Sequence, residues 1–310
     1  MKPQPIFHGI IPPMITPLNP DYSLDVDHTI RMVNHLLEGG VHGLFILGTT
    51  GEAASLSSDV KSDLIRQVCR QVNRRIPVLV GITDCAFVES LDLAAIAAES
   101  GADALVAAPP FYMNIGQEEL ELYYRKLADA VSLPLFLYNM PSHTKLFIET
   151  ATVLSLSSHP NIIGIKDSSG DLPNFESLCR TFRDRQDFRI FVGPEEILSQ
   201  TLEMGGHGGV TGGANLYPEL YVQAFNAFQS NQHERLRELQ ETILFLSENL
   251  YQNQTYKSSY LKGLKASLAF EGLCQGILAP PLYAYSKTEK NVLFGKFQTV
   301  KEKVLDTVIQ

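Results

Sequence analysis

The stretch Pro77-Val78-Leu79-Val80-Gly81-Ile82, Leu93-Ala94-x-Ile96-Ala97, Gly101-Ala102, Ala104-Leu105-Val106-Ala107-Ala108-Pro109 holds one whole structural unit. Its two outer runs are short and continuously apolar, the pattern of strands buried on both faces of a parallel sheet. Between them the apolar residues fall at i, i+3 and i+4, the spacing of a helix with one buried face. Gly101 stands where a helix C-cap is expected. Strand, helix, parallel strand: this is a βα unit followed by the start of the next.

The unit repeats in both directions. Upstream lie Gly9-Ile10-Ile11-Pro12-Pro13-Met14-Ile15 and Gly43-Leu44-Phe45-Ile46-Leu47-Gly48. Downstream lie Pro134-Leu135-Phe136-Leu137-Tyr138-Asn139, Ile162-Ile163-Gly164-Ile165-Lys166, Arg189-Ile190-Phe191-Val192-Gly193 and Gly208-Gly209-Val210-Thr211-Gly212. Helical patterns at Leu64–Val72 and Leu120–Leu127 separate some of them. Starts fall roughly 20–35 residues apart, and eight such units specify a (β/α)₈ TIM barrel. An open dinucleotide-binding sheet would need a glycine fingerprint after its first strand, where Pro12-Pro13 stands instead. After about Pro218 only helical patterns continue, ending in a helix expected over Val292–Val308. The expected organisation is therefore a catalytic barrel over 1–225 and a C-terminal helical extension over 226–310. That extension absorbs the surplus of a 310-residue chain over a barrel of about 250.

Composition narrows the function. A formal net charge of −9 opposes nucleic-acid binding, which needs a basic face. No apolar run approaches the ~20 residues that cross a bilayer, and the N-terminal residues lack a signal-peptide pattern. The four cysteines lie far apart without a C-x-x-C pair, so they read as reduced thiols in a cytoplasmic protein. The eight histidines are isolated, and no metal is expected. Pro194-Glu195-Glu196 follows the seventh run, where many barrels bind phosphate, so an unphosphorylated substrate is expected.

A barrel of this kind carries its site at the carboxyl ends of the strands. Lys166 ends the sixth run and shares its parity with Gly164, so it points into the barrel mouth. It reads either as a lysine snorkelling to solvent or as a desolvated amine that attacks a carbonyl to form a Schiff base. Tyr138 ends the neighbouring fifth run, either as a rim aromatic or as a proton relay. Gly48-Thr49-Thr50-Gly51-Glu52 fits a helix capping box through Thr49 and Glu52. It equally fits a small cradle for one carboxylate.

Gly48-Thr49-Thr50-Gly51-Glu52, Tyr138-Asn139-Met140-Pro141 and Gly164-Ile165-Lys166-Asp167-Ser168-Ser169-Gly170 together resemble the three signature stretches of a known family. It is the dihydrodipicolinate synthase / N-acetylneuraminate lyase family of pyruvate-dependent class I aldolases, and the resemblance runs in order from Phe7 to about Pro218. It implies that Lys166 forms the imine and that Tyr138, with Thr49, relays protons. It implies that Thr49 and Thr50 hold the pyruvate carboxylate and that Val210 lines the pocket beside the lysine. Tyr112 would reach a neighbouring subunit's site, in a homo-oligomer that is at least a dimer and often a tetramer. No cofactor is implied, because the protonated imine is itself the electron sink.

The departures point within the family. Synthases usually carry an arginine five residues after the tyrosine to grip the aldehyde's carboxylate; here His143 stands there and cannot form a bidentate clamp. Ser58, Lys61 and Cys85 occupy positions where lysine-regulated synthases carry histidines and asparagine, and a Lys61 ammonium would repel a cationic effector. The expected activity is cleavage or condensation of a 2-keto acid with pyruvate, on a substrate of the 2-keto-3-deoxy sugar acid type. Dihydrodipicolinate synthase proper, condensing pyruvate with aspartate semialdehyde, is the alternative. Dehydratases or deaminases with the same Lys-Tyr pair and a catalytically silent pyruvate-binding barrel also stay open.

Overall fold

Val78 to Gly81 hydrogen-bonds in parallel to Ala104–Ala107, and this pairing propagates around the molecule. A computed structural model describes residues 7–252 and 255–309. In chain order the elements are β1 (Gly9–Ile10), α1 (Val26–Glu38), β2 (Leu44–Ile46), α2 (Ser58–Val72), β3 (Val78–Gly81), α3 (Phe87–Ser100) and β4 (Ala104–Ala107). Then follow α4 (Gln117–Ala130), β5 (Leu135–Asn139), α5 (Pro141–Thr144), α6 (Thr150–Leu156), β6 (Ile162–Asp167), α7 (Leu172–Thr181) and β7 (Arg189–Val192). The chain continues with α8 (Leu198–Glu203), β8 (Gly208–Gly209), α9 (Pro218–Gln229), α10 (His233–Leu250), α11 (Ser259–Phe270) and α12 (Lys287–Ile309).

The eight strands form one parallel sheet in the order β1-β8-β7-β6-β5-β4-β3-β2. A single bridge between Pro13 and Phe45 closes it, with Met14 N–H donating to the Phe45 carbonyl at 2.8 Å and Phe45 N–H donating to the Pro12 carbonyl at 3.0 Å. The first strand is thus far shorter than its apolar run. Pro12 and Pro13 have no N–H to add to a ladder, so regular pairing stops at Ile10. The eighth run likewise contributes only Gly208–Gly209, and Gly208 adopts φ +154° where any Cβ would strike the Gly9 backbone. The last helix extends past its expected limits to Lys287–Ile309.

Alternation along the strands sorts two buried layers. Phe45, Leu79, Val106, Phe136, Tyr138, Phe191 and Val210 pack inside the barrel. Leu44, Val80, Leu105, Leu137, Ile165 and Ile190 face outward into the layer shared with the helices. Local signals start and stop those helices. The Asp25 carboxylate accepts from His28 N–H at the start of α1, the Ser57 hydroxyl from Val60 N–H at α2, and Asp171 from Asn174 N–H at α7. Gly101, at φ +84°, closes α3 in the left-handed region as expected of a C-cap.

The C-terminal helices do not form a core of their own. Leu236, Leu239, Ile243 and Leu246 of α10 and Phe297, Val300 and Val304 of α12 belong to the same buried cluster as the barrel helices. These residues are buried by the chain's own packing, with α10 lying against α9 and α12, while Val292, Phe294 and Leu305 of α12 stay exposed. No helix among the described residues is long and apolar enough to cross a membrane.

Candidate active site

β5 and β6 pair so that Tyr138 stands directly beside Lys166. Both side chains point inward at the carboxyl ends of their strands, as their parity with Phe136 and Gly164 predicts. Beneath them Gly164 has no room for a side chain, because a Cβ would run into the Phe136 ring and the Arg189 carbonyl. Lys166 is 6% exposed, and its Nζ lies 3.8 Å from the centre of the Tyr138 ring and 5.7 Å from that of Phe45. The snorkelling alternative is therefore not what forms: the amine is inside the mouth.

Hydrogen bonds tie the strand ends together. Asn139 Nδ2 donates to Asp167 Oδ1 at 2.9 Å, while its own Oδ1 accepts from Ile148 N–H at 3.0 Å. Asp167 also accepts from the Ser169 N–H and hydroxyl, both at 3.0 Å. Burial nevertheless pushes the Asp167 carboxyl above its ordinary value, and these hydrogen bonds only partly offset it.

The loop after β2 turns into the mouth between two left-handed residues, Leu47 and Glu52, each at φ +57°. Such a conformation costs roughly 1 kcal/mol at a non-glycine position and is kept only where surroundings enforce it. Within it Thr49 Oγ1 lies 3.1 Å from the Tyr138 hydroxyl, and Thr50 Oγ1 lies 3.1 Å from the Tyr260 hydroxyl of α11. The capping box suggested by Thr49 and Glu52 does not form. Glu52 turns away, buries its carboxylate against Lys265 of α11 and accepts from Ala279 N–H at 2.8 Å. Helix α2 begins later, capped by Ser57.

The electrostatics of the two tyrosines differ. Burial alone would raise the Tyr138 phenol, but the Lys166 charge and hydrogen bonds from Lys166, Thr49 and Ser168 outweigh it and hold it below the ordinary value. Burial raises the Tyr260 phenol, and the nearby Glu195 charge adds to that. Glu195, 4% exposed, accepts from the Tyr221 hydroxyl and from Gly213 N–H, both at 2.7 Å. Its burial and the Glu196 charge push its carboxyl up to about 7.

Lys166, Tyr138, Thr49, Thr50, Val210 and His143 all border one cavity of about 810 Å³. His143 sits on its rim, with Nδ1 3.0 Å from the Ser142 hydroxyl. Partial desolvation, then the Lys145 and Lys166 ammonium groups, hold its imidazole below the ordinary histidine value. Tyr112 is not brought to this cavity: it stands 84% exposed in the β4–α4 loop. Lys61 is buried on α2 with its Nζ 3.8 Å from Asp84, while Ser58 opens that helix and Cys85 is exposed.

Several further residues at the cavity are not among the site residues expected from the sequence. Ser168 and Glu195 lie just beyond strand ends and continue the inward parity of Lys166 and Phe191, whereas Glu196 has the opposite parity. Ser247, Tyr251 and Tyr260 come from the C-terminal helices, which roof the cavity. Tyr260-Leu261-x-x-Leu264 reads as an ordinary buried helix face, so nothing local marks Tyr260.

With the geometry known, comparison with other proteins is specific. Residues 6–299 match the model of the dihydrodipicolinate synthetase family, so the match runs beyond Pro218 and through most of the C-terminal helices. The structure of dihydrodipicolinate synthase from Bacteroides thetaiotaomicron superposes with a TM-score of 0.92 at 45% identity, covering 96% of this chain and 99% of that one. The 4-hydroxy-tetrahydrodipicolinate synthase of Methanopyrus kandleri is 34% identical over 92% of this chain and 93% of its own. A putative 2-dehydro-3-deoxy-D-gluconate aldolase of Escherichia coli, YagE, is 32% identical over 81% of this chain and 83% of its own. YagE has also been solved in complex with pyruvate, with a TM-score of 0.89 over 96% of this chain and 99% of that one. By its barrel, its strand-end lysine and tyrosine and this match over nearly its whole length, the chain belongs to the dihydrodipicolinate synthetase family and is a lyase.

Proposed function

We propose that this lyase works through a Schiff base on Lys166, cleaving or condensing a 2-keto acid with pyruvate as product or substrate. The observation that carries this reading is the Lys166 amine 3.8 Å from the Tyr138 ring in a buried mouth, with Thr49 on the Tyr138 hydroxyl. In the cleavage direction the amine attacks the keto carbon and water leaves, its protons relayed through Tyr138. The C4 hydroxyl then loses its proton, the C3–C4 bond breaks, and the aldehyde departs. The electron pair stays on the enamine, which takes a proton at C3 and is hydrolysed to pyruvate and free Lys166. Thr49 and Thr50 hold the carboxylate throughout, and Val210 packs beside the imine. The lysine provides the electron sink, so the reaction calls for no cofactor.

The lining favours a polyhydroxylated second half, of the 2-keto-3-deoxy sugar acid type. Thr83, Ser168, Ser247 and Tyr251 offer hydroxyls around the cavity, and no arginine lines it among the described residues. His143, held toward its neutral form, supplies no charge for a second carboxylate, and Lys257 on the lining is a point charge without the bidentate fork of an arginine. The Escherichia coli relative named as a 2-dehydro-3-deoxy-D-gluconate aldolase supports the same class. We place the enzyme in the cytoplasm, which suits four free thiols. We also read it as a homo-oligomer in which Tyr112 completes a neighbouring site.

Borohydride reduction with pyruvate should leave one reduced pyruvate on Lys166, and Lys166→Ala should leave none. An adduct that survives Lys166→Ala would sink the imine. Pyruvate release should be seen with 2-keto-3-deoxy sugar acids, N-acetylneuraminate or 4-hydroxy-2-oxoglutarate. Condensation of pyruvate with aspartate semialdehyde, at rates indifferent to His143→Ala, would instead establish the synthase. Tight pyruvate binding without turnover of any partner would point to a silent regulatory barrel.

A further inference from the structure

Thr49 and Thr50 are neighbours in sequence, yet their hydroxyls lead to different tyrosines. Thr49 meets Tyr138 of the barrel, and Thr50 meets Tyr260 of α11, each at 3.1 Å. Tyr260 is itself tightly held. Its ring meets Tyr251 edge-on, with centroids 5.1 Å apart and planes at 80°. Its hydroxyl lies against the Gly212 backbone, where any Cβ would overlap it. The same helix is fastened to the same loop a second time. Lys265, 1% exposed, pairs with Glu52 and donates to the carbonyls of Thr16 and Ile277, both at 2.7 Å.

We propose that Tyr260 is a positioning residue for the lyase reaction, its phenol orienting the Thr50 hydroxyl toward the carboxylate of the bound keto acid. This rests on the reading of the chain as a Schiff-base lyase. A threonine hydroxyl has one hydrogen. When the Tyr260 phenol donates to Thr50 Oγ1, the Thr50 hydrogen is left to point into the cavity. Tyr260 suits this task because burial and Glu195 hold its proton in place, whereas the Lys166 charge loosens that of Tyr138. The two threonines thus differ in their partners: Thr49, which also holds the carboxylate, meets the proton-relaying Tyr138, whereas Thr50 is oriented by Tyr260.

Tyr260→Phe keeps the ring and its contact with Tyr251 while removing the hydroxyl. The pyruvate concentration giving half-maximal borohydride-trapped adduct should rise about tenfold, the scale of one lost hydrogen bond, with saturated turnover within about threefold. In a Thr50→Val background the same change should shift half-saturation by less than about twofold, because the partner is already gone. In Thr50→Ser, which keeps the hydroxyl, its full effect should return. A Tyr260→Phe enzyme saturating as the parent does, or losing equally in the Thr50→Val background, would overturn the role. Loss of folding in Tyr260→Phe, read by its thermal midpoint, would likewise make Tyr260 structural rather than positioning. If the parent chain itself traps no pyruvate on Lys166, the lyase reading falls and takes this one with it. Normal trapping by the parent with an indifferent Tyr260→Phe removes only Tyr260.

Discussion

Glu195 shows how a single buried side chain couples the site to pH. Its carboxyl is held at about 7, by burial and by the Glu196 charge, against an ordinary 4.5. The folded state therefore keeps this proton to higher pH than the unfolded chain. Its burial adds no cost below pH 4.5, a growing cost between 4.5 and about 7, and the full cost above. Glu195→Gln can still accept from Gly213 N–H and can donate to the Tyr221 hydroxyl, so both hydrogen bonds have a substitute. The variant should match the parent near pH 4.5 and be more stable by about 3 kcal/mol at pH 8. Urea titrations across that range test this, and a pH-independent difference would contradict it. At this scale the sequence was informative where parity applies: Lys166 and Tyr138 are read from alternation along two strands. Glu195 read only as a charge unfavourable to phosphate, because its burial depends on Tyr221, which comes from a helix 26 residues on.

Helix α11 and the loop after β2 act as one element although more than 200 residues separate them in the chain. The Glu52–Lys265 pair that joins them is almost completely dry, with side chains 0% and 1% exposed. Removing one partner leaves a buried charge uncompensated, which typically costs about 3–5 kcal/mol. Lys265→Met should lower stability by that amount in guanidinium titrations, and adding Glu52→Gln should restore much of it. A loss below about 1 kcal/mol would mean that water or another group reaches Glu52. The elements themselves were largely legible, since helix period and strand length are local properties. Of the two readings open for Thr49 and Glu52, the capping box does not form for a physical reason: Glu52 is taken up by Lys265 and Ala279 N–H, and no pattern around Glu52 announces either partner.

At the scale of the molecule, the β4–α4 loop holds three of the exposed large apolar side chains among the described residues. Tyr112 and Met113 are 84% and 67% exposed beside Phe111 in the β4–α4 loop. If the chain is the homo-oligomer proposed above, this loop is where a neighbouring copy would be met. Sedimentation at micromolar concentration should give at least twice the 34.4 kDa chain mass, and Tyr112→Asp with Met113→Asp should lower it. A parent chain that sediments as a monomer at all concentrations would remove the reading of Tyr112 as a shared residue.

By itself the sequence determined the barrel, its strand order along the chain and the facing pair Lys166 and Tyr138. These follow from periods of 2 and 3.6 residues, which are set by backbone geometry within a few neighbours. Tertiary structure alone decided what closes the site. Thr50 and Tyr260 are 210 positions apart, and Glu52 meets Lys265 across a similar span. A hydrogen bond or ion pair of that range leaves no periodic trace, because either residue's neighbours are fully satisfied as ordinary helix or loop without it. Packing of the C-terminal helices over the barrel mouth is what brings the partners together, and it makes a stretch that reads as an appendage into a wall of the cavity.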